Sequence, residues 1–295
     1  MRIVVAGSSG LIGTALVRDL RGAGHDVVRL VRCRPRAVDE RTWDPPAGRI
    51  DDGALDGANA VVNLCGAGIG SRRWSHARKQ MLLNSRVEPT EVLAAAVAER
   101  GVPVLVNASA VRYYGDTGDR ESDESTPSGR GFLAALCRDW ETATQRASDA
   151  GARVVRMRTG HVLSRCGGLL GTLRPLFTLL LGGRLGDGLQ YMPWLHVADH
   201  VAAIRFVLEH DEISGAVNSC SPNPVTNREF TRALGRAMGR PAPWFVPGIA
   251  LRVVVGEGAE EILFSQRTVP GVLAAHGFTF RYPVLADALE AALDR

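Results

Sequence analysis

The stretch Gly7-Ser8-Ser9-Gly10-Leu11-Ile12-Gly13 constrains the fold more than any other part of the chain. It follows a short β-branched run, Arg2–Ala6, and opens Leu11–Ala23, where Leu11, Ala15, Leu16 and Leu20 recur at helical spacing before Gly24 stops the helix. A strand that turns through spaced glycines straight into a helix presents backbone N–H groups at a helix N-terminus, where an anion is favoured. Gly7 permits the tight turn, Gly10 lets backbone approach a pyrophosphate, and Gly13 allows close packing of helix on strand. In this position the pattern reads as a dinucleotide-binding turn.

The rest of the chain supplies the matching framework. Asp26–Val31 (DVVRLV) is a second strand, followed by a polar, Pro-rich stretch to about Asp56, and Ala60–Leu64 is a third strand. A long helix around Trp74–Arg100, a strand Val104–Asn107, a helix around Phe132–Ala150 and a strand Ala152–Arg158 continue the alternation. Near-continuous apolar strands separated by helices imply a parallel sheet covered on both faces. The fold class is therefore α/β, a Rossmann-type doubly wound parallel sheet with a smaller C-terminal substrate lobe. After Gly160 the pattern turns to Gly- and Pro-punctuated segments, with helices expected at Val197–Glu209, Thr226–Met238 and Val284–Leu293. The expected division is residues 1–160 as dinucleotide-binding domain and 161–295 as substrate lobe, with part of about 197–220 returning to the Rossmann sheet.

Composition narrows the partners. The net charge of +4 is spread without long basic runs, which argues against a nucleic-acid partner. The longest apolar candidate, Leu176–Leu181, is far short of the ~18 residues that cross a bilayer, so no membrane partner is expected. Five scattered cysteines form no C-x-x-C, no metal-ligand spacing appears, and Met1 leads directly into a strand-like run, so a cytoplasmic location is the expectation. A small-molecule substrate remains.

The second strand ends Val31-Arg32-Cys33-Arg34, where proteins that prefer NAD usually carry an acidic residue for the ribose 2′-OH. An arginine suits a 2′-phosphate through charge-assisted hydrogen bonds, which points to NADP(H). The alternative is that Arg32 and Arg34 are solvated loop charges.

The glycine turn, together with Asn63-Leu64-Cys65-Gly66-Ala67-Gly68 and Trp194-Leu195-His196-Val197-Ala198-Asp199, resembles the extended short-chain dehydrogenase/reductase superfamily. Further matches are Arg73-Trp74, Asn84-Ser85-Arg86-Val87-Glu88, Ser109-Ala110-Val111-Arg112-Tyr113-Tyr114-Gly115, Cys137-Arg138-Asp139-Trp140-Glu141, Arg158-Thr159-Gly160, Pro222–Asn227 and Phe278–Pro283. These resemble its atypical, sugar-nucleotide epimerase-like (NAD-dependent epimerase/dehydratase-like) subgroup. The resemblance implies nucleotide-binding contacts to NADP(H) from Gly7, Ser9, Leu11, Ile12, Arg32, Leu64, Cys65, Arg86 and Val162. It also implies a homodimer through the helices around Trp74–Arg100 and Phe132–Ala150. Arg112 stands where members of the subgroup tend to have glycine; it either binds an anionic substrate group or points to solvent.

The superfamily's usual acid–base dyad is Tyr-x-x-x-Lys, in which the lysine charge lowers the phenol pKa. Four residues beyond Tyr113, Tyr114, Tyr191 and Tyr282 stand Thr117, Gly118, Leu195 and Ala286, and the one lysine, Lys79, follows no tyrosine at that spacing. Counting back from Trp140-Glu141, Leu133 and Cys137 take the dyad's places. The substitutes open to the chain are Tyr113 or Tyr114 beside Ser109, His196 with Asp199 nearby, and Cys137. Each has a plainer reading: packing aromatics, a pocket frame and a small buried hydrophobe. The acidic residues Asp116, Asp119, Glu121, Asp123 and Glu124 read as a solvated loop. An NADP-dependent oxidoreductase or epimerase with nonstandard acid–base residues is the leading expectation, with a nonredox enzyme (elimination or cyclisation) or a noncatalytic NADP(H)-sensing protein as alternatives.

Overall fold

The structure is a computed structural model describing residues 1–71, 73–249 and 258–293. The N-terminal elements are β1 (Arg2–Ala6), α1 (Leu11–Gly22), β2 (Asp26–Val31), β3 (Glu40–Asp44), β4 (Arg49–Ile50), β5 (Ala60–Asn63), α2 (His76–Arg100), β6 (Val104–Ala110), β7 (Glu121–Ser122), α3 (Phe132–Thr142), α4 (Gln145–Asp149) and β8 (Arg153–Thr159). They continue as β9 (His161–Ser164), α5 (Gly168–Thr178), β10 (Gly183–Leu185), β11 (Tyr191–Met192), β12 (Trp194–His196), α6 (Val197–Glu209), β13 (Gly215–Ser219), β14 (Val225–Thr226) and α7 (Asn227–Ala237). One eight-stranded sheet runs in the order β13-β8-β6-β5-β1-β2-β3-β4, parallel throughout except for β4.

Alternation along β1 decides the layers. Ile3 and Val5 face a cluster with Leu16 and Leu20 of α1 and Ile204 and Val207 of α6. Val4 and Ala6 face the other side, with Leu93 and Val97 of α2 and Ala147 of α4. Burial of both faces explains why these strands read as unbroken apolar runs. Strand β13 closes the sheet beside β8, and α6 covers the same face as α1, so residues 197–219 pack with the N-terminal sheet. A separate core of Leu163, Leu170, Phe177, Trp194, Phe230 and Leu289 builds the second lobe.

Two features depart from the sequence expectation. The polar stretch after β2 contains a sheet strand, β3, whose one deeply buried side chain is Trp43 at 3% exposure. The single helix expected over 132–150 breaks between α3 and α4, where buried Thr144 turns its Oγ1 onto the carbonyl of Glu141 at 2.6 Å. A threonine bonding its own backbone in this way competes with helix propagation. Among the described residues, no helix is long and apolar enough to cross a membrane.

The glycine turn is set by absent side chains. Gly7 has φ +77°, and a Cβ there would lie 2.8 Å from the Leu64 carbonyl. A Cβ on Gly13 would stand 2.2 Å from the Gly7 oxygen, which instead accepts the Gly10 N–H at 3.1 Å. Gly13→Ala is expected to cost roughly 1–3 kcal/mol in urea unfolding, as overpacking does. Unchanged stability would mean that the turn is looser than the structure has it.

Candidate functional site

The parallel strands end along one edge, where open α/β folds collect their ligands. Next to β1 and β5 lies a cleft of about 1040 Å³ whose lining includes Gly7, Ser9, Gly10, Arg32, Cys65 and Ser85. Buried amides hold its far wall. Asn63 Nδ2 donates to Thr90 Oγ1 (2.9 Å) and Asn107 Oδ1 (2.7 Å), while Asn63 Oδ1 accepts the Cys65 N–H at 3.1 Å. The loop Leu64-Cys65-Gly66 is thereby tied to β6 and α2. Burial pushes the Cys65 thiol up to about 12.

Arg86 is buried against this loop. Its guanidinium donates to the carbonyls of Leu82 and Ala67, each at 3.0 Å, and stands over the Trp140 ring. Burial pushes it down to about 10, so it stays charged at neutral pH. Leu11 packs under the Gly167-Gly168 turn of the second lobe, next to the Val162 carbonyl, so α1 and β9 meet over the cleft.

At the end of β2 the charges sort themselves. Asp39 and Glu40 take up Arg29, and Asp39 also pairs with Arg21; the Arg29 hydrogen bond holds the Asp39 carboxyl down at about 2. Arg32 is exposed at the cleft and has no ion pair among the described residues. Arg18, which no sequence motif singles out, lies beside Ser8 and Ser9 in an adjoining hollow and is likewise unpaired there.

The acid–base candidates separate by their partners. Arg158, 5% exposed, makes a two-pronged pair with Glu141, Nε to Oε1 and Nη2 to Oε2, both 2.9 Å. Ser109 donates to the same Oε1 at 2.7 Å, so its hydroxyl serves the carboxylate rather than the cleft. Tyr114 accepts from Arg158 Nη1 at 3.0 Å and donates to Asn218 Oδ1 at 2.7 Å; burial pushes its phenol up. Cys137 is buried beside Leu133 and Trp140, its thiol pushed up to about 12 by burial and by the neighbouring Glu141. His196 caps α6 with one ring nitrogen, Nδ1 accepting the Ala198 N–H at 3.2 Å, while Nε2 has no hydrogen bond among the described residues; burial lowers its pKa. Asp199 accepts the N–H groups of Arg281 and Tyr282 instead of serving His196. Tyr113 differs from all of these: its ring lies over the Arg158 guanidinium at 3.5 Å, and its hydroxyl has no partner among the described residues.

Arg112 is turned inward and not to solvent, with Nη1 donating to the Glu261 carbonyl at 2.8 Å. Of the acidic loop, Glu124 is half-buried and structural, accepting the N–H groups of Asn218 (2.8 Å) and Val272 (3.2 Å). No set of three or more potential ligands for a metal ion occurs among the described residues. Sequence reasoning passed over His161, which follows the strand-end Arg158-Thr159-Gly160; its place at the carboxyl edge of the sheet was the available signal.

Comparison with known proteins fits this geometry. Residues 3–219 match the NAD dependent epimerase/dehydratase family, and residues 246–292 match a domain of unknown function. An epimerase family protein of Mycobacterium bovis is 52% identical over 294 residues, covering 99% of this chain and 98% of the relative. The crystal structure of human epimerase family protein SDR39U1 (isoform 2) with NADPH superposes with a TM-score of 0.90 at 32% identity, covering 99% of each chain. A nucleoside-diphosphate sugar epimerase of Corynebacterium glutamicum superposes with a TM-score of 0.83 at 37% identity, covering 99% of this chain and 58% of that one.

Replacing Glu141 by leucine strands the Arg158 charge in the interior. A loss of about 3–5 kcal/mol in urea unfolding is expected, as for other buried pairs broken on one side. A loss below about 1 kcal/mol would show that water reaches Arg158.

Proposed function

This chain belongs to the NAD dependent epimerase/dehydratase family, and on that premise we propose that it binds NADP(H) and works as an oxidoreductase or epimerase on a small polar substrate without the Tyr-x-x-x-Lys dyad. The observation that carries the reading is the exposed Arg32 at the rim of a glycine-lined cleft, where Arg29 is taken up by Asp39 and Glu40 while Arg32, Arg36 and, in the adjoining hollow, Arg18 have no ion pair among the described residues. The cleft's dimensions suit a dinucleotide, and the close approach at Gly7 and Gly13 leaves N–H groups of the turn open to phosphate. That the human relative was crystallised with NADPH supports the same cofactor here.

In this reading the backbone of Ser9, Leu11 and Ile12 holds the pyrophosphate, which Gly7 and Gly10 let approach, and Arg32 with Arg18 holds the 2′-phosphate. Leu64, Cys65, Arg86 and Val162 shape the passage toward the substrate lobe. A nicotinamide bound there supplies or accepts a hydride. Tyr113 is the group assigned to the accompanying proton, because its hydroxyl has no partner among the described residues and its ring lies on Arg158, while Ser109 and Tyr114 donate elsewhere and Cys137 is buried in an apolar cluster. Arg158 fixes the plane of its ring from below. Arg112, Tyr113 and His161 follow the carboxyl ends of β6 and β8, and polar groups at that edge of the sheet favour an enzyme over a sensor with a sealed apolar pocket.

Titration with NADPH and NADH, followed by nicotinamide fluorescence, tests the reading. Arg32→Ala should weaken NADPH by about 10- to 100-fold, the worth of hydrogen bonds to a charged group, and leave NADH as it was. Equal binding of the two cofactors by the parent, or binding of neither, would overturn it.

A further inference from the structure

The carboxyl edge of the sheet carries a second polar pair. Strands β6 and β8 run parallel with Ala110 opposite Thr159, and Arg112 and His161 each lie two residues beyond that pairing. The topology thus brings them together at the mouth between the sheet and the second lobe. Both are half-buried.

Arg112 is short of partners. Its one hydrogen bond among the described residues goes to the Glu261 carbonyl, and it has no ion pair there. The carboxylate that could neutralise it, that of Glu261, is turned onto the N-terminus of α3, where it accepts the N–H groups of Phe132 at 2.7 Å and Leu133 at 3.0 Å. Burial lowers the Arg112 pKa, against the opposing effect of the Glu261 charge. His161 has no partner on either ring nitrogen among the described residues. Burial and the neighbouring Arg112 push it down to about 3, so it is a neutral imidazole with one N–H to donate.

Glu261 is the carboxylate that acts on Arg112, without an ion pair to it and with its oxygens bonded to the N-terminus of α3. Glu141 is saturated by Arg158 and Ser109, Cys137 is an un-ionised thiol, and Leu133 is apolar. A partly desolvated guanidinium without an ion pair is costly, and a planar fork beside a second donor is the arrangement that takes up oxyanions.

We propose that Arg112 and His161 form the anion-binding end of the substrate pocket and hold an oxyanion of the substrate, a carboxylate or a phosphate ester. The inference rests on the reading of the adjoining cleft as the NADP(H) site only in calling this end the substrate's.

The test is calorimetric titration of the protein, as purified and NADPH-loaded, with malonate and separately with inorganic phosphate. Parent, Arg112→Gln, Arg112→Lys and His161→Gln are compared at neutral pH. One oxyanion should saturate the parent, and the arm that does so identifies its source as carboxylate or phosphate. Arg112→Gln should weaken it by about tenfold or more, and His161→Gln by a smaller factor, with NADPH affinity unchanged in both. Near-UV circular dichroism reports folding; if Arg112→Gln fails to fold, Arg112→Lys, which keeps the charge and loses the fork, must still weaken the anion. The proposal is overturned if neither anion binds a parent that binds NADPH, or if the folded variants bind the anion as the parent does. Loss of NADPH binding by the parent would instead count against the cofactor reading, while the anion titration of the protein as purified still judges the pair.

Discussion

The buried pair between Arg158 and Glu141 is the interaction on which the carboxyl edge of the sheet depends. Taking both charges out of water is expensive, and the pair holds because its hydrogen bonds are almost all satisfied. Arg158 of β8 spends Nε and Nη2 on Glu141 of α3 and Nη1 on Tyr114, and Glu141 also accepts from Ser109 of β6. Tyr114 carries the network on to Asn218 of β13. Three strands, one helix and the turn after β6 are locked through one guanidinium, which also lies against the Tyr113 ring of that turn.

In the proposed reading, the same network arranges a site that works without the Tyr-x-x-x-Lys dyad. Where the superfamily's motif would set tyrosine and lysine on α3, this chain has Leu133 and Cys137, packed among Trp74, Leu82 and Trp140. Arg138 of α3 is exposed, and the cations turned toward the interior here are Arg86 on α2 and Arg112 in the turn after β6. Arginine keeps its proton under desolvation far better than lysine, which suits permanent cations that position anions and does not suit a residue meant to tune a neighbour by titrating.

Much of the scaffold could be read in advance because it is local. The β-branched runs of β1, β2 and β5 and the glycine turn each declare themselves within a few residues. Strand β3 did not, because its sequence, Glu40-Arg41-Thr42-Trp43-Asp44, buries one large side chain at a sheet edge and leaves no period-two signal. Nor could the fate of the candidate residues be read. Ser109 and Tyr114 look free in sequence, yet their partners Glu141 and Asn218 are supplied from distant elements. The Glu261 side chain caps α3 across more than a hundred residues, which leaves Arg112 bonded to the Glu261 carbonyl and not to its carboxylate in a way no motif announces. Arg18 is one more surface arginine until the fold brings it beside the glycine turn.

The account's central claim is that this fold places a dinucleotide from the glycine turn to Tyr113. A crystal structure of the chain grown with NADPH tests it most directly. The account predicts the pyrophosphate on the N–H groups following Gly7, the 2′-phosphate on Arg32, and the nicotinamide within contact of the Tyr113 side chain. A cofactor bound with its phosphates away from that turn, or with its nicotinamide in solvent and Tyr113 covered by protein, would contradict it.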